Sequence, residues 1–368
     1  MASEQETAAM RRAADLAAYA QGSTSPNPTV GAVVLDATGH PVGEGYTSPP
    51  GGPHAEIHAL AMAGDNARGG TLVTTLEPCN HTGRTGPCAK AIIAAGIARV
   101  VVGVSDPNPE AAGGTITLRA AGVEVELGVE GEIAARSNEA WLTAVRLGRP
   151  MVTWKYAASL DGRAAAADGS SQWITGGEAR ADGHRLRAQS DAVMVGSGTI
   201  LADDSHLTVR TGGKLAGNQP LRVVVDTHAR TPLDAHVVDS SARTLIACGD
   251  DAEPDALDAL RTVAEVVVLP RSPDGRVDLA VLLRELYRRD VRSLLLEGGP
   301  ALAGAFVDER FIDRVVAYLA PALIGGEGTP ALAGAGALSI EKAWRLQIDD
   351  VRRLGPDLRI EARPAGGH

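Results

Sequence analysis

The sequence has few cysteines, no excess of positive charge and no long apolar run. Only Cys79, Cys88 and Cys248 occur among 368 residues, and this sparse, odd number excludes a disulfide framework and indicates a reducing compartment. Lys and Arg total 35 against 45 acidic residues, which argues against a nucleic-acid or anionic-membrane binder but leaves room for a local basic pocket for one phosphate. No apolar run reaches the about 18 residues that span a bilayer, and residues 1–10 do not resemble a secretory signal. We therefore expect a cytoplasmic protein.

Length and patterning predict two α/β domains. At roughly 150 residues per domain, 368 residues make about two, and an apolar content of 44% suffices for two cores. The first part reads β-β-α-β-α-β-α-β, which predicts a mixed sheet covered by helices. After the Pro150 segment, strands and helices alternate, which predicts βαβ units and a largely parallel sheet. Two final, antiparallel strands are predicted after Trp344. We place the domains at residues 1–147 and 148–368.

One constellation in the first half has the character of a zinc site. His54, Cys79 and Cys88 offer one imidazole and two thiolates, a donor set that suits Zn²⁺. Three protein ligands leave a fourth position for water, which ionises near neutral pH when it is bound to zinc. Glu56 is then a candidate proton shuttle from that water to a departing amine. An H-x-E motif followed by P-C and a second Cys is the signature of zinc-dependent nucleobase deaminases.

The spacing and the neighbouring histidines leave alternatives open. Eight residues separate the two cysteines, where two are usual, and the spacer contains Gly83, Gly86 and Pro87. In one alternative, Cys79 and Cys88 are ordinary buried thiols of the core that bind no metal. In another, His81 or His58 is a fourth ligand and the zinc is structural. Cys248 follows a predicted strand, has no Cys or His near it in sequence, and is expected in the core.

The second half contains features typical of a nucleotide-dependent enzyme. The segment from Glu297 to Ala305 (EGGPALAGA) directly follows a predicted strand, and this geometry lets backbone N–H groups meet a phosphate at a helix N-terminus. It is not the G-x-G-x-x-G fingerprint, and plain β-α turns also use paired glycines. The segment 195–210 is predicted as a strand end followed by a small-residue loop at an edge where α/β sheets bind ligands. The segments 155–163 and 171–175 are compatible with a stacked cofactor ring.

Motifs along nearly the whole chain resemble one enzyme family. They are SPNPTVGAV, GGPHAEIHAL, TLEPCNHTGRTGPC and SDPNP in the first half, and KYAASLDGR, SQWIT, RAQSDAVMVGSGTILADDSHLTVR, RVVVDT and EGGPALAGAF in the second. In this order they resemble the bifunctional riboflavin biosynthesis deaminase/reductases, in which the eight-residue cysteine spacer is usual. The resemblance implies an N-terminal cytidine-deaminase-like three-layer domain with a mixed sheet. It implies a C-terminal dihydrofolate-reductase-like domain with a mostly parallel sheet.

The resemblance also implies two reactions and their residues. A zinc-dependent hydrolytic deamination would convert 2,5-diamino-6-(5-phospho-ribosylamino)pyrimidin-4-one, and NADPH would then reduce the ribosyl group to ribityl. Zinc would bind to His54, Cys79 and Cys88, with Glu56 as the proton donor. The residues implied to contact NADPH are Ala157, Trp173, Thr199, Asp203, Thr227, Gly299, Pro300, Ala301, Leu302, Ala303, Gly304 and Ala305. Those implied to hold the reductase substrate are Ser171, Arg187, Leu207, Arg210 and Glu297, together with Lys155 and Thr175.

Individual residues carry further expectations. Arg187 and Arg210 suit the 5-phosphate, Asp203 or Glu297 is the candidate acid for reduction, and Arg230 is the candidate for the 2′-phosphate of NADPH. Thr47 stands where the family often has a His, so a polar substrate contact is expected to be lost or replaced. We further expect a homo-oligomer, a dimer or tetramer. The alternatives are a deaminase of tRNA or of a free nucleoside, and a zinc-stabilised scaffold that senses a nucleotide.

Overall fold

The computed structural model describes residues 1–81 and 86–366. Gly83 of the cysteine spacer therefore lies outside the described residues. The chain forms two compact units, Met1–Arg149 and a second unit from Pro150 onward. Across the described residues, no helix combines the length and apolar character needed to cross a membrane.

The first unit is a five-stranded mixed sheet with helices packed on it. Its elements are α1 (Glu4–Ala18), β1 (Gly31–Leu35), β2 (Pro41–Tyr46), α2 (Ala55–Ala63), β3 (Thr71–Leu76), α3 (Cys88–Ala94), β4 (Arg99–Val104), α4 (Gly114–Ala120), β5 (Glu124–Leu127), α5 (Gly131–Ser137) and α6 (Glu139–Leu147). The strand order is β2-β1-β3-β4-β5. Strand β1 is antiparallel to β2 and β3, whereas β3, β4 and β5 run parallel.

Local signals explain where the first elements form. Helix α1 begins with a capping box, in which the Ser3 side chain accepts from the Glu6 backbone N–H and the Glu6 carboxylate accepts from the Ser3 N–H. Two glycines in β2 let helix α2 pack closely, because a Cβ on Gly43 would lie 2.1 Å from the Ala59 carbonyl oxygen and one on Gly45 would lie 2.4 Å from that of Ala55. This contact fixes the start of α2, where His54 and Glu56 lie.

The second unit is built on a nine-stranded sheet. Its longer elements are β6 (Met151–Ser159), α7 (Gly177–Ala188), β8 (Ala192–Gly196), α8 (Ser197–Asp203), β11 (Leu221–Val225), β12 (Thr244–Gly249), α9 (Pro254–Arg261), β13 (Glu265–Leu269), α10 (Leu279–Arg288), β14 (Ser293–Leu296), α11 (Pro300–Asp308), β15 (Arg314–Ala320), β17 (Leu346–Leu354) and β18 (Asp357–Pro364). Its short strands are β7 (Arg163–Ala165), β9 (Arg210–Thr211), β10 (Lys214–Leu215) and β16 (Thr329–Pro330).

The order of the large sheet is β13-β12-β11-β8-β14-β6-β15-β18-β17. All neighbours from β13 to β15 are parallel, and β18 and β17 join antiparallel. The ends of β6, β8 and β14 therefore meet at the carboxyl edge of the sheet, where α/β proteins bind ligands. The predicted small-residue loop after β8 is wrong in part, because residues 197–203 form helix α8, anchored by the buried Ile200. Cys248 is fully buried in the core, as expected.

Candidate active sites

The three predicted zinc ligands converge in the first unit. The Nδ1 atom of His54 lies 3.6 Å from Cys79 Sγ and 3.3 Å from Cys88 Sγ, and all three donor atoms lie within 4.8 Å of one another. Ideal tetrahedral Zn–S and Zn–N bonds would separate a nitrogen from a sulfur by about 3.6 Å. The donor set and its spacing thus fit a zinc ion held by these three side chains.

Two of the ligands lie at helix starts, and the pKa of the Cys79 thiol is lowered. His54 directly precedes α2, and Cys88 is the first residue of α3, with its backbone N–H 3.4 Å from Cys79 Sγ. The hydrogen bond with the Cys88 thiol, supported by His54, lowers the pKa of Cys79 against the effect of burial. A thiolate is the form that binds zinc.

Glu56 is a buried acid beside the cluster. It lies in the first turn of α2 with only 4% of its surface exposed. Burial, opposed by backbone hydrogen bonding and reinforced by the charge of Cys79, raises the pKa of Glu56 to about 7. A carboxyl group that titrates near neutral pH can both accept and donate a proton, which is the requirement for a shuttle.

A second buried carboxylate, not anticipated from the sequence, shapes this site. Glu77 accepts hydrogen bonds from the backbone N–H groups of Asp106, Gly113 and Thr115 and from the Thr115 hydroxyl. Gly114 packs against the Pro78 carbonyl, where a Cβ would lie 1.8 Å from the oxygen. Glu77 therefore ties the 106–115 segment to the strand end that leads into Cys79. Only the adjacency of Glu77 to the P-C motif hints at this in the sequence.

The alternative of a closed, four-ligand zinc site finds no support among the described residues. Within residues 1–81 and 86–366, the group that can hold a metal consists of His54, Cys79 and Cys88. The Nε2 atom of His58 instead lies 2.8 Å from Ser48 Oγ, and His81 is exposed. Thr47, in the position expected to be His, is buried and exchanges hydrogen bonds with the backbone of Val30. Its hydroxyl is therefore engaged in the fold.

A buried ionic cluster lies at the carboxyl edge of the second sheet. The guanidinium of Arg187 donates from Nε to Glu297 Oε1 at 2.6 Å and from Nη2 to Oε2 at 3.1 Å. Lys155 Nζ lies 3.4 Å from Glu297 Oε2. Burial alone would raise the pKa of Glu297, but the charges of Arg187 and Lys155 outweigh it and lower this pKa to about 2. Glu297 is therefore a carboxylate at neutral pH.

This cluster faces a cleft of about 480 Å³ that collects many of the predicted reductase residues. The members of the predicted set that line it are Lys155, Ala157, Ser171, Thr199, Asp203, Glu297, Gly299, Pro300, Ala301 and Leu302. The Gly299 backbone N–H, just before α11, donates to Thr199 Oγ1 at 3.2 Å. The glycine turn after β14 and the start of α8 thus form one wall, because β8 and β14 are neighbours in the sheet.

Other residues of the predicted set do not line this cleft. Trp173 is exposed and stacks on the guanidinium of Arg180 at 4.5 Å, and the Thr175 carbonyl accepts from the same arginine. Leu207 is buried, and the Arg210 side chain is exposed. The last two of the set, Ala303 and Gly304, are buried, Ala303 in the core and Gly304 against the Ala333 carbonyl.

A second cleft, of about 310 Å³, continues along the sheet edge from the first. Thr227 and Ala305 of the predicted set line it, and Ala301 and Leu302 line both clefts. Arg230 lies here, with Nη2 3.2 Å from Ser197 Oγ, and Arg276 lines the same cleft. No sequence motif singles out Arg276, because it belongs to a turn between β13 and α10 that only the fold brings to this edge.

Comparisons with known proteins agree with this arrangement. Residues 3–104 match the family described as "Cytidine and deoxycytidylate deaminase zinc-binding region", and residues 150–360 match "RibD C-terminal domain". The chain is 47% identical over 342 residues to the riboflavin biosynthesis protein RibD of Mycobacterium tuberculosis, covering 92% of each chain.

Solved structures extend the similarity to the fold. RibD of Acinetobacter baumannii superimposes with a TM-score of 0.88 at 37% identity, covering 98% of this chain and 99% of that one. A Thermotoga maritima protein, named a diaminohydroxyphosphoribosylaminopyrimidine deaminase/5-amino-6-(5-phosphoribosylamino)uracil reductase, has a TM-score of 0.87 at 34% identity and the same coverage. The predicted two-domain α/β fold, with a cytidine-deaminase-like first domain and a reductase second domain, is confirmed.

Proposed function

Since the chain belongs to the RibD family, whose members combine a zinc-binding deaminase domain and an NADPH-dependent reductase domain in riboflavin biosynthesis, we propose the following substrate and residue roles. Residues 1–147 deaminate 2,5-diamino-6-(5-phospho-ribosylamino)pyrimidin-4-one. Residues 148–368 reduce the product with NADPH to 5-amino-6-(5-phospho-ribitylamino)uracil. The substrate named for the T. maritima relative supports this choice.

The observation that carries the deaminase proposal is the buried acid Glu56 beside a three-donor zinc cluster. His54, Cys79 and Cys88 would hold the zinc, which when bound supplies a Lewis acid and lowers the pKa of water. Glu56 takes a proton from the attacking water and gives it to the departing amine. The carbon that carries the 2-amino group thus becomes a carbonyl carbon with the oxygen of the water, and the amine leaves as ammonia. A Glu56 pKa near 7 suits both proton transfers.

In the reductase cleft, the ionic cluster favours a division of roles. Both edges of the Arg187 guanidinium are occupied, by Glu297 and by the Thr208 carbonyl at 3.1 Å. We therefore assign Arg187 to holding Glu297, and the exposed Arg210 to the substrate phosphate. Bound NADPH would supply hydride for the ribosyl carbon that bears the amine, and the reduction also requires a proton. Because Glu297 is ionised, that proton comes from Asp203 or from the Lys155 ammonium, which both line the cleft.

Residues of the two clefts would hold the cofactor. Ala157 and Thr199 would contact the nicotinamide end, and Thr227 the adenosine end. The backbone of the glycine turn before α11 would donate to phosphate oxygens, since the first N–H groups of a helix have no partner within it. Arg230 and Arg276, which line the second cleft, would bind the 2′-phosphate that distinguishes NADPH from NADH.

Location and assembly complete the proposal. Two zinc-binding thiolates and the absence of a disulfide framework favour the reducing cytoplasm, and small-molecule rather than nucleic-acid substrates agree with the net charge of −10. The protein acts as a homo-oligomer, a dimer or tetramer.

A coupled assay tests the catalytic assignment. Ammonia release and NADPH consumption are followed from the diaminopyrimidine substrate, with and without a zinc chelator. We expect the chelator to stop ammonia release while reduction of pre-deaminated substrate continues. Ammonia release by zinc-free protein would contradict the deaminase assignment. An absence of NADPH oxidation with the deaminated substrate would instead support a nucleotide sensor.

The proton source for reduction has its own test. Asp203→Asn should lower reductase turnover at saturating NADPH. Wild-type turnover in this variant would assign the proton to Lys155.

A further inference from the structure

Arg210, the arginine assigned above to the substrate phosphate, lies at the base of a small hairpin. Strands β9 (Arg210–Thr211) and β10 (Lys214–Leu215) pair with each other and, among the described residues, with no other strand. Every residue from Arg210 to Leu215 is exposed. Because an isolated two-stranded hairpin is only marginally stable in water, contacts at its base must set the position of Arg210.

The segment that leads into this hairpin has an uncommon backbone conformation. Asp204 and Leu207 have φ angles of 43° and 53°, in the left-handed region that residues with a Cβ seldom adopt. Such a conformation persists where the surrounding structure holds it. Leu207, Thr208 and Val209 are buried, whereas the hairpin tip is exposed. The contacts that hold the segment therefore lie at the buried base.

The side chain of Gln219 binds both ends of the hairpin at this base. Its Oε1 atom accepts from the Val209 backbone N–H at 2.7 Å, and its Nε2 atom donates to the Val209 carbonyl at 3.0 Å. Nε2 also donates to the Ala216 carbonyl at 2.8 Å. The amide of Gln219 thus exchanges hydrogen bonds with Val209 as a residue of a neighbouring antiparallel strand would. It joins the residue before β9 to the residue after β10.

Gln219 is anchored to an inner strand of the large sheet. Only the buried Pro220 separates it from the first residue of β11, Leu221. Strand β11 pairs with β8 on one side and with β12 on the other. The Leu221 backbone N–H also donates to the Asp191 carbonyl at 2.9 Å. The hairpin base is therefore tied to a part of the sheet that is fixed on both sides.

Helix α7 contacts the same segment and connects it to the reductase cleft. Arg187 Nη1 donates to the Thr208 carbonyl at 3.1 Å, and the Arg210 backbone N–H donates to His184 Nδ1 at 3.4 Å. The same Arg187 guanidinium binds Glu297, which lines the cleft. The backbone that carries Arg210 is thus held between Gln219 and α7, beside the residues assigned to the substrate.

We infer that Gln219 is a positioning residue of the reductase, which holds Arg210 where it binds the substrate phosphate. Because Val209 is buried, loss of the Gln219 amide leaves its backbone N–H without that partner, and such a group moves to find another. The hairpin and Arg210 then move with it. This inference rests on the proposed role of Arg210 and is independent of the hydride and proton transfers.

Two substitutions in the full-length protein test this role. Gln219→Ala removes the amide, and Gln219→Met keeps a side chain of similar length that forms none of the three hydrogen bonds. Each should lower kcat/KM for the deaminated, phosphorylated substrate about tenfold, in the range of a lost charge-assisted hydrogen bond. Each should leave kcat/KM for the phosphate-free form of that substrate unchanged. NADPH oxidation measures both values.

A double-mutant cycle shows whether Gln219 acts through Arg210. Arg210→Ala should lower kcat/KM for the phosphorylated substrate at least as much, and adding Gln219→Ala should cause no further loss. The matched control is Gln347→Ala, which removes the same amide at an exposed position of β17 and should change neither value. Circular dichroism shows that the compared variants are folded.

The outcomes separate this inference from the proposed function. Wild-type values in both Gln219 variants, together with a loss in Arg210→Ala, would overturn the inference alone. An equal loss with both substrates, or a further loss in the double variant, would also overturn it, because Gln219 would then act on the domain and not through the phosphate. An Arg210→Ala variant without effect would overturn the proposed role of Arg210 and the inference with it.

Discussion

Glu297→Gln removes one negative charge from a cluster in which the Glu297 side chain is only 9% exposed. The variant retains the shape of the side chain but leaves Arg187 and Lys155 without their counter-charge. Lowering the Glu297 pKa from 4.5 to about 2 corresponds to about 3 kcal/mol of folding free energy at neutral pH. Breaking a buried ion pair costs a similar amount, about 3–5 kcal/mol. We therefore expect the substitution to lower the unfolding free energy of the second domain by about 3 kcal/mol at pH 7.

The stabilisation that Glu297 contributes should decrease at acidic pH. The folded pKa of Glu297 is below its unfolded value, so its stabilisation is complete above pH 5 to 6 and is lost as the pH falls through 4.5 towards 2. By pH 3 the wild type should have lost about 2 of the 3 kcal/mol, because the unfolded chain binds the proton more readily. The difference in unfolding free energy between wild type and variant should thus decrease to about 1 kcal/mol at pH 3.

Urea unfolding followed by hydrogen-exchange mass spectrometry measures the unfolding free energy of each domain separately. Peptides from β6 and β14 report on the second unit, and peptides from β3 report on the first as an internal reference. The control is Glu265→Gln, whose carboxylate is 45% exposed and pairs with Arg289 at the surface, where such pairs contribute about 0–1 kcal/mol. A loss below about 1 kcal/mol for Glu297→Gln, or a gap that does not change with pH, would show that the ion pairs of Glu297 do not stabilise the domain.

Three further predictions address the two sites. Glu56→Gln should lower deamination by about 10²–10⁴-fold without changing the zinc content measured by mass spectrometry, and undiminished ammonia release would exclude the shuttle role. Cys88→Ser should reduce bound zinc to well below one ion per chain while NADPH oxidation with deaminated substrate continues; full zinc occupancy would show that Cys88 is not a ligand. Arg230→Ala and Arg276→Ala should each raise the KM for NADPH about tenfold, which is in the range of a lost charge-assisted hydrogen bond. The KM for NADH should stay unchanged. If the ratio of the two KM values does not change in a variant, that arginine does not bind the 2′-phosphate.

Local sequence patterns specify most of the elements and the zinc cluster. Strands such as β3 and β4, at 71–76 and 99–104, follow from short apolar runs between turn residues, because a strand that is buried on both faces needs apolar side chains at consecutive positions. The zinc ligands also follow from local motifs, since His54 directly precedes α2, Cys79 of the P-C motif follows β3, and Cys88 begins α3. Helix α8 was not predicted because its small residues give no period, and its helical form depends on the burial of Ile200 against the sheet.

Contacts between distant segments set the roles that local patterns do not specify. Arg187, on α7, pairs with Glu297, 110 residues later in the chain, and no local pattern indicates this pairing. Arg276 and Glu77 acquire their roles through turns that meet other segments in space. The amino-acid sequence alone specifies which chemical groups this protein has and where its local elements form, since both depend on neighbours along the chain. Which groups are buried, ionised or left unpaired follows from the packing of the sheet, because burial and charge depend on neighbours in space.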